Sequence, residues 1–204
     1  MIKINKKPIL KYVIDYWREY TKDFVFVVGY KKDQVINYAR KLPINSEFVE
    51  QKKLNGIADA LLHVQNYVPE HFIVALGDCL YSGEFETSEN IEQCIGVYKT
   101  DNVDDIKLNY SVELNKNNFV SKVIEKPKNI VNNFCGMGVY IFKRNVFDYI
   151  GDTKPSILRN EIEITDVIQK MIDAGEKITP AFLCGRYINV TNPDDLKKAE
   201  HLFI

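Results

Sequence analysis

Long apolar runs, a charge excess and clustered cysteines are all absent from this sequence of 204 residues. Its longest apolar segments, such as 24–28 and 72–76, are strand-length and fall well short of the roughly 18 residues that a membrane-spanning helix needs. Segment 1–7 is positively charged, but no apolar stretch follows it, so it does not read as a signal peptide. We therefore expect a cytoplasmic protein with no membrane partner.

The charges nearly balance, with 27 Lys and Arg against 28 Asp and Glu, giving a formal net charge of −1. Nucleic-acid-binding proteins usually carry a clear basic excess, so we expect no nucleic-acid partner. The cysteines stand at positions 79, 94, 135 and 184, and no pair has the close spacing of a zinc or redox motif. Reduced and mostly buried thiols are the expectation.

Fully apolar strands alternate with amphipathic helices in the first part of the chain. Helices are predicted over 8–20, 32–42 and 57–67, and strands over 23–30, 47–51 and 72–78. Fully apolar strands are typical of a parallel sheet that is buried between helices. This alternation predicts an α/β fold.

The second part of the chain changes to an antiparallel pattern before it returns to helices. Predicted here are a strand over 95–101, a hairpin over 109–114 and 119–126, a strand over 135–143, a helix over 166–174, a strand within 181–190 and a C-terminal helix opening at 192–195. Thr165 is the predicted N-cap of the helix over 166–174, and Gly175 is predicted to end this helix. We expect a mixed sheet, with an antiparallel hairpin insertion, in a single domain over residues 1–204.

Several polar residues stand at the ends of predicted strands, where ligands bind in open α/β sheets. Asp78 closes the strand over 72–78, Asn189 lies in the last strand, and Glu125 and Lys126 end the hairpin. Oxygen side chains suit Mg²⁺, and a Glu–Lys pair suits sugar hydroxyls and a phosphate. Each signal has an ordinary structural alternative: a turn residue, a strand-end amide and a solvated surface pair respectively.

The order of motifs resembles that of the sugar-1-phosphate nucleotidyltransferases, the pyrophosphorylases that make nucleoside-diphosphate sugars. The resembling segments cover nearly the whole chain and comprise 4–10, Gln51 with 56–60, 76–78, Tyr110, 125–127, 136–140, 163–166 and 187–196. The resemblance implies a Rossmann-like mixed sheet with helices on both faces. It also implies transfer of a nucleoside monophosphate from an NTP to a sugar 1-phosphate, with release of pyrophosphate.

The same resemblance implies a set of binding roles. Gln51 and Gly56 would face the nucleotide base, while Asp78 and Asn189 would hold Mg²⁺. The residues that would contact the sugar phosphate are Tyr110, Glu125, Lys126, Gly138 and Thr165. Which base and which sugar phosphate are used stays open, and for Gly138 a strand bulge is the structural alternative.

In the family, a first strand and a Gly-rich GxGxR-type loop precede the segment that residues 4–10 match. This sequence starts at Met1 and shows neither of them ahead of that segment. We therefore assign no catalytic residue and expect two strands to lack their usual neighbour. The alternatives are that these strands close up, that another segment or chain fills the gap, or that the sequence is a fragment. One hypothesis is a nucleotidyltransferase that, without the first strand, is inactive or turns over feebly. The alternative is a catalytically defective homologue that acts as a sugar-nucleotide-binding regulatory or scaffold subunit, stabilised by self-association or by a catalytic partner.

Overall fold

The computed structural model describes residues 1–87, 91–156 and 160–203. Its helices are α1 (Ile9–Trp17), α2 (Lys32–Ala39), α3 (Gly56–Val64), α4 (Val103–Leu108), α5 (Val146–Asp152), α6 (Ile164–Asp173) and α7 (Pro193–Leu202). Its strands are β1 (Lys3–Ile4), β2 (Lys7–Pro8), β3 (Asp23–Val28), β4 (Asn45–Glu50), β5 (His71–Ala75), β6 (Cys79–Glu86), β7 (Cys94–Lys99), β8 (Tyr110–Leu114), β9 (Val120–Glu125), β10 (Phe134–Lys143) and β11 (Thr179–Asn189). None of the helices in the described part of the chain is long and apolar enough to cross a bilayer.

Each predicted helix and strand has a counterpart, which confirms the α/β expectation. The prediction that Thr165 caps a helix is wrong, because α6 begins at Ile164 and its N-cap is Glu163. Asp78 was expected to close a strand, but β5 ends at Ala75 and Asp78 directly precedes β6. The capping of α7 by Asn192 is confirmed, since its side chain accepts hydrogen bonds from two backbone N–H groups of the first turn.

The chain divides by its internal contacts into two compact units. The first unit comprises Met1–Lys53, Ala75–Glu84 and Gly185–Ile204, and the second comprises Leu54–Val74 and Phe85–Cys184. The expectation of one domain stays a prediction. Each unit is described separately below.

The first unit contains a parallel two-stranded sheet, in which β3 and β4 pair over six residues from Asp23 opposite Asn45 to Val28 opposite Glu50. Within the described residues β3 has β4 as its one sheet neighbour, and its side chains at 24–27 are only half-buried. The expectation that two strands lack their usual neighbour stays a prediction. The core of this unit is a buried cluster formed by Ile4, Ile9, Leu80, Val190, Ala199 and Phe203.

The second unit is organised around the long strand β10. This strand runs antiparallel to β7 on one side and to β8 on the other, and β8 runs antiparallel to β9. The first part of β11 pairs with β7 in parallel through Thr179–Phe182, so the sheet is mixed, as predicted. Helix α6 packs against β9 and buries the apolar residues Val167, Ile168 and Met171.

Because Gly185 has no side chain, its strand β11 packs closely on β6. A substitution at Gly185 therefore tests the packing of the first unit. A Cβ atom at this position would lie 1.8 Å from the carbonyl oxygen of Ser82, which is a backbone atom and must move with its strand. Overpacking of this kind costs about 1–3 kcal/mol. We expect Gly185→Ala to lower the free energy of unfolding in urea by about that amount.

Gly151→Ala serves as the control. Gly151 lies within α5, and nothing lies within 4 Å of a Cβ built there. Alanine in place of glycine in a helix stabilises by about 0.5–1 kcal/mol. A Gly185→Ala protein as stable as the wild type would contradict the packing of β11 on β6.

Candidate active site

A backbone hydrogen bond brings the two predicted metal ligands of the first unit together. The N–H group of Val190 donates to the carbonyl oxygen of Asp78 at 3.0 Å. Asn189 directly precedes Val190 and is the last residue of β11. The backbones of the two residues are therefore neighbours, and their binding of a common Mg²⁺ ion stays a prediction.

The chain around Asn189 is held by the helix that follows it. The side chain of Asn192 accepts hydrogen bonds from the backbone N–H groups of Asp194 at 2.9 Å and of Asp195 at 3.0 Å. The carboxylate of Asp195 in turn accepts the N–H group of Asn192 at 3.2 Å, which completes a capping box. Since strand and capped helix are separated by only three residues, the position of Asn189 is well defined.

Asp78 combines exposure with a partly desolvated carboxyl group. The residue is exposed, yet burial by the surrounding protein raises the pKa of its carboxyl. Hydrogen bonds from its own backbone N–H and from the Cys79 thiol, whose sulfur lies 3.8 Å from Oδ1, lower this pKa in part. A carboxylate in such a setting gains from a nearby positive charge, because a cation stabilises its ionised form.

The donor set at Asp78 and Asn189 fits a hard cation. One supplies a carboxylate oxygen and the other an amide oxygen, the ligand types that Mg²⁺ prefers. Within the described residues no group of three or more His, Cys, Asp or Glu side chains is arranged to hold a metal.

The two predicted nucleotide-binding residues lie in different units. Gln51 belongs to the first unit, where it is only 7% exposed and donates its backbone N–H to the carbonyl oxygen of Val28 at 2.9 Å. Gly56 belongs to the second unit and opens α3 with a φ of +86°, a conformation that favours glycine. A Cβ at Gly56 would lie 3.1 Å from Oε2 of Glu161, so a side chain there would meet that carboxylate.

Three predicted sugar-phosphate residues are brought together in the second unit. Tyr110 of β8 lies directly opposite Glu125 of β9, so both side chains are on the same face of the hairpin. The hydroxyl of Thr165 donates to Oε2 of Glu125 at 3.3 Å. Tyr110, Glu125 and Thr165 thus converge from three separate segments of the chain.

Lys126 follows β9 in a left-handed backbone conformation, with a φ of +43°. Its N–H group donates to the carbonyl oxygen of Asn109 at 2.8 Å. Asn109 is itself fixed at the end of α4, where its side-chain amide donates to the carbonyl oxygen of Asp105 at 2.9 Å. The chain thus turns directly after β9, and Lys126 is exposed.

Gly138 lies in a bulge of β10. A strand bulge is the structural alternative that the sequence analysis gave for this residue. Gly136 pairs with Val97 and Tyr140 pairs with Ile95, so the register between β10 and β7 shifts between these two pairs. Residues 137–139 therefore lie opposite a single residue, Gly96. The structure places Gly138 in this bulge and leaves its predicted contact with a sugar phosphate untested.

Some supporting residues of the site were not predicted. Asn109 orients the turn at Lys126, and Gln169 of α6 accepts the N–H group of Val123 on β9 at 2.9 Å. Glu161 lies beside Gly56 at the start of α3. All of these contacts join residues that are distant in sequence, so no local pattern could have indicated them.

Comparison with known proteins places these residues in a wider context. The family model described as nucleotidyl transferase matches residues 1–199. The chain is 30% identical over 206 residues to the bifunctional protein GlmU of Methanococcus maripaludis strain C5, covering 100% of this chain and 49% of that protein. It therefore spans about half the length of the curated relatives that it matches first.

Another relative is matched over most of its length. The UTP–glucose-1-phosphate uridylyltransferase AglF of Haloferax volcanii is 29% identical over 210 residues, covering 98% of this chain and 85% of that protein. Among solved structures, the inositol-1-phosphate CTP transferase from T. maritima is similar in fold, with a TM-score of 0.81 at 22% identity. The match covers 98% of this chain and 84% of that structure.

The left-handed conformation of Lys126 can be tested with two substitutions that both remove its ammonium group. Left-handed backbone costs a residue with a Cβ atom about 1–2 kcal/mol, and glycine adopts it freely. We expect Lys126→Gly to be more stable than Lys126→Ala by about 1 kcal/mol in chemical denaturation.

The same pair of substitutions at Lys122 provides the control. Lys122 lies within β9, where its side chain is 54% exposed. Glycine in a strand interior destabilises by about 0.5–1 kcal/mol relative to alanine, so the order of the two variants should reverse. Alanine more stable than glycine at both positions would show that the backbone at Lys126 is not strained.

Proposed function

Because the chain belongs to the nucleotidyl transferase family, we propose that its protein transfers a nucleoside monophosphate from an NTP to a sugar 1-phosphate. The observation that carries this proposal is the convergence of Tyr110, Glu125 and Thr165 on one another in the second unit. These residues come from separate motifs of the sugar-phosphate pocket that the family resemblance implies. Their proximity supports a site for a molecule that carries both hydroxyls and a phosphate.

The reaction forms one bond and breaks another at a single phosphorus atom. An oxygen of the sugar phosphate attacks the α-phosphorus of the NTP, and the bond from that phosphorus to the bridging oxygen of the β-phosphate breaks. The products are a nucleoside-diphosphate sugar and pyrophosphate. Since both reactants are anionic, positioning and charge neutralisation supply most of the catalysis.

Glu125 and Lys126 divide the recognition of the sugar phosphate between them. The carboxylate of Glu125 accepts hydrogen bonds from sugar hydroxyls, while Thr165 fixes its orientation by donating to Oε2. The exposed ammonium group of Lys126 offsets the charge of the phosphate. Glu125 is the last residue of β9, and Lys126 follows it directly in a left-handed conformation.

Asp78 and Asn189 are the residues that would hold Mg²⁺ in this proposal. When bound there, the ion supplies positive charge to the phosphates and lowers the cost of bringing them together. The partly desolvated carboxyl of Asp78 supports this role, because a desolvated carboxylate attracts a cation more strongly than a fully hydrated one. Gln51, whose side chain is buried after β4, and Gly56, at the start of α3, are proposed to face the base.

The substrates to test first follow from the named relatives. AglF is a UTP–glucose-1-phosphate uridylyltransferase, so UTP with glucose 1-phosphate is our first pair. TTP, CTP and inositol 1-phosphate extend the panel, because a structural neighbour transfers from CTP to inositol 1-phosphate. Release of pyrophosphate in the presence of Mg²⁺ is the readout.

We expect pyrophosphate release with one of these pairs, and we expect Asp78→Asn to reduce it by about 100-fold or more, the loss typical of one charge-stabilising group. Asn keeps the size of the side chain and removes its charge, so folding should be preserved. Asp194→Asn is the matched control, because the Asp194 side chain is 82% exposed on α7. Its activity should equal that of the wild type.

Two results would contradict this proposal in different ways. Full activity of Asp78→Asn would remove Asp78 from the site while leaving the reaction in place. Binding of UDP-glucose in calorimetry, without pyrophosphate release from any pair, would instead identify a sugar-nucleotide-binding protein that does not catalyse the transfer.

A further inference from the structure

Tyr110 is a buried residue whose contacts indicate a structural role. It is only 5% exposed, and its hydroxyl donates a buried hydrogen bond of 3.1 Å to the backbone carbonyl oxygen of Met137. Met137 lies in the bulge of β10 that was described above. The Tyr110 hydroxyl is therefore bonded to the bulge that contains Gly138.

The aromatic ring of Tyr110 is also fitted to β10. Gly136 lies directly opposite Tyr110 across the β8–β10 pair. A Cβ at Gly136 would lie 1.9 Å from two atoms of the Tyr110 ring. Since the ring occupies the space of the missing side chain, it fixes the strand immediately before the bulge.

The bulge is also closely packed on the side that faces β7. A Cβ at Gly96 of β7 would lie 3.2 Å from Cβ of Val139 and 3.4 Å from Cβ of Met137. The bulge residues thus pack closely on β7, while Tyr110 holds them from β8. Bulges are local distortions that re-aim the backbone, so their exact shape depends on such contacts.

We propose that Tyr110 is a positioning residue, which sets the backbone of the β10 bulge and through it the place of Gly138 at the sugar phosphate. The effect of Tyr110 on sugar phosphate binding rests on the proposed function, whereas its effect on the backbone of the bulge does not. Tyr110 also lies opposite Glu125, so it connects the carboxylate that recognises the sugar to the bulge. Its hydroxyl acts through the Met137 carbonyl and contacts no substrate.

The test removes this hydroxyl with Tyr110→Phe and measures hydrogen–deuterium exchange without ligand. A hydrogen bond contributes about 0.5–1.5 kcal/mol, so exchange in peptides covering residues 136–140 should become about two- to tenfold faster. The KM for the sugar 1-phosphate should rise by a similar factor, while the KM for the NTP and kcat stay within twofold of the wild type (a margin of about 0.4 kcal/mol).

Tyr98→Phe is the matched control. The hydroxyl of Tyr98 on β7 also donates a hydrogen bond of 3.1 Å, but its acceptor is the carboxylate of Asp105. This variant loses a comparable hydrogen bond in the same unit without touching the Met137 carbonyl. Exchange over residues 136–140 and the KM for the sugar 1-phosphate should both stay at the wild-type level.

The outcomes separate the two parts of the proposal. Unchanged exchange in Tyr110→Phe, or an equal rise in Tyr98→Phe, overturns the hold on the bulge. Faster exchange with an unchanged KM for the sugar 1-phosphate overturns the positioning role. If the wild type neither binds nor converts any sugar 1-phosphate, the proposed function and the positioning role fall together, while faster exchange in Tyr110→Phe would still establish the hold on the bulge.

Discussion

The hydrogen bond between the Val190 N–H and the Asp78 carbonyl is the contact that brings the two proposed Mg²⁺ ligands of the first unit together. It ties the end of β11 to the residue that precedes β6. Leu80 and Val190 both belong to the buried cluster of this unit, so apolar packing holds the two chain segments on either side of the bond. A hydrophobic core therefore fixes the position of a carboxylate and an amide that are themselves hydrophilic. The exposed Asp78 obtains its place from its buried neighbours.

In the second unit the equivalent constraint is strand register. Tyr110 lies between Glu125 on one neighbouring strand and Gly136 on the other. A slip of one residue in either pairing would turn every side chain of that strand to the opposite face. The ring of Tyr110 over Gly136 opposes such a slip, because no other residue of β10 that pairs with β8 lacks a side chain. The mutual placement of Tyr110, Glu125 and Gly136 thus depends on the same pairing that builds the sheet.

Sequence patterns identified most of the elements with regular periodicity, but they missed the short helices α4 and α5 and the strands β1, β2 and β6. The stripe of α6 and the cap of α7 at Asn192 were readable, because their signals lie within ten or so residues. Helices α4 and α5 have six and seven residues, too few for a helical period to stand out. Thr165 was misassigned for a related reason: a Thr at the start of a helix is a local N-cap signal, whereas its actual partner is Glu125 on another element.

Family motifs selected residues without distinguishing side chains that are available to a substrate from side chains that support the protein's own structure, and burial draws this distinction. Asp78 and Lys126 are exposed, whereas Tyr110 and Thr165 are 5% and 2% exposed. The hydroxyls of the last two are bonded to Met137 and Glu125, so their polar atoms serve the protein's own geometry. A buried hydroxyl of this kind is costly to leave without a partner, and so it enforces a single arrangement of the backbone or carboxylate that it contacts. In the proposed site, substrate recognition and folding are therefore coupled, because Tyr110 and Thr165 are buried parts of the protein as well as members of that site.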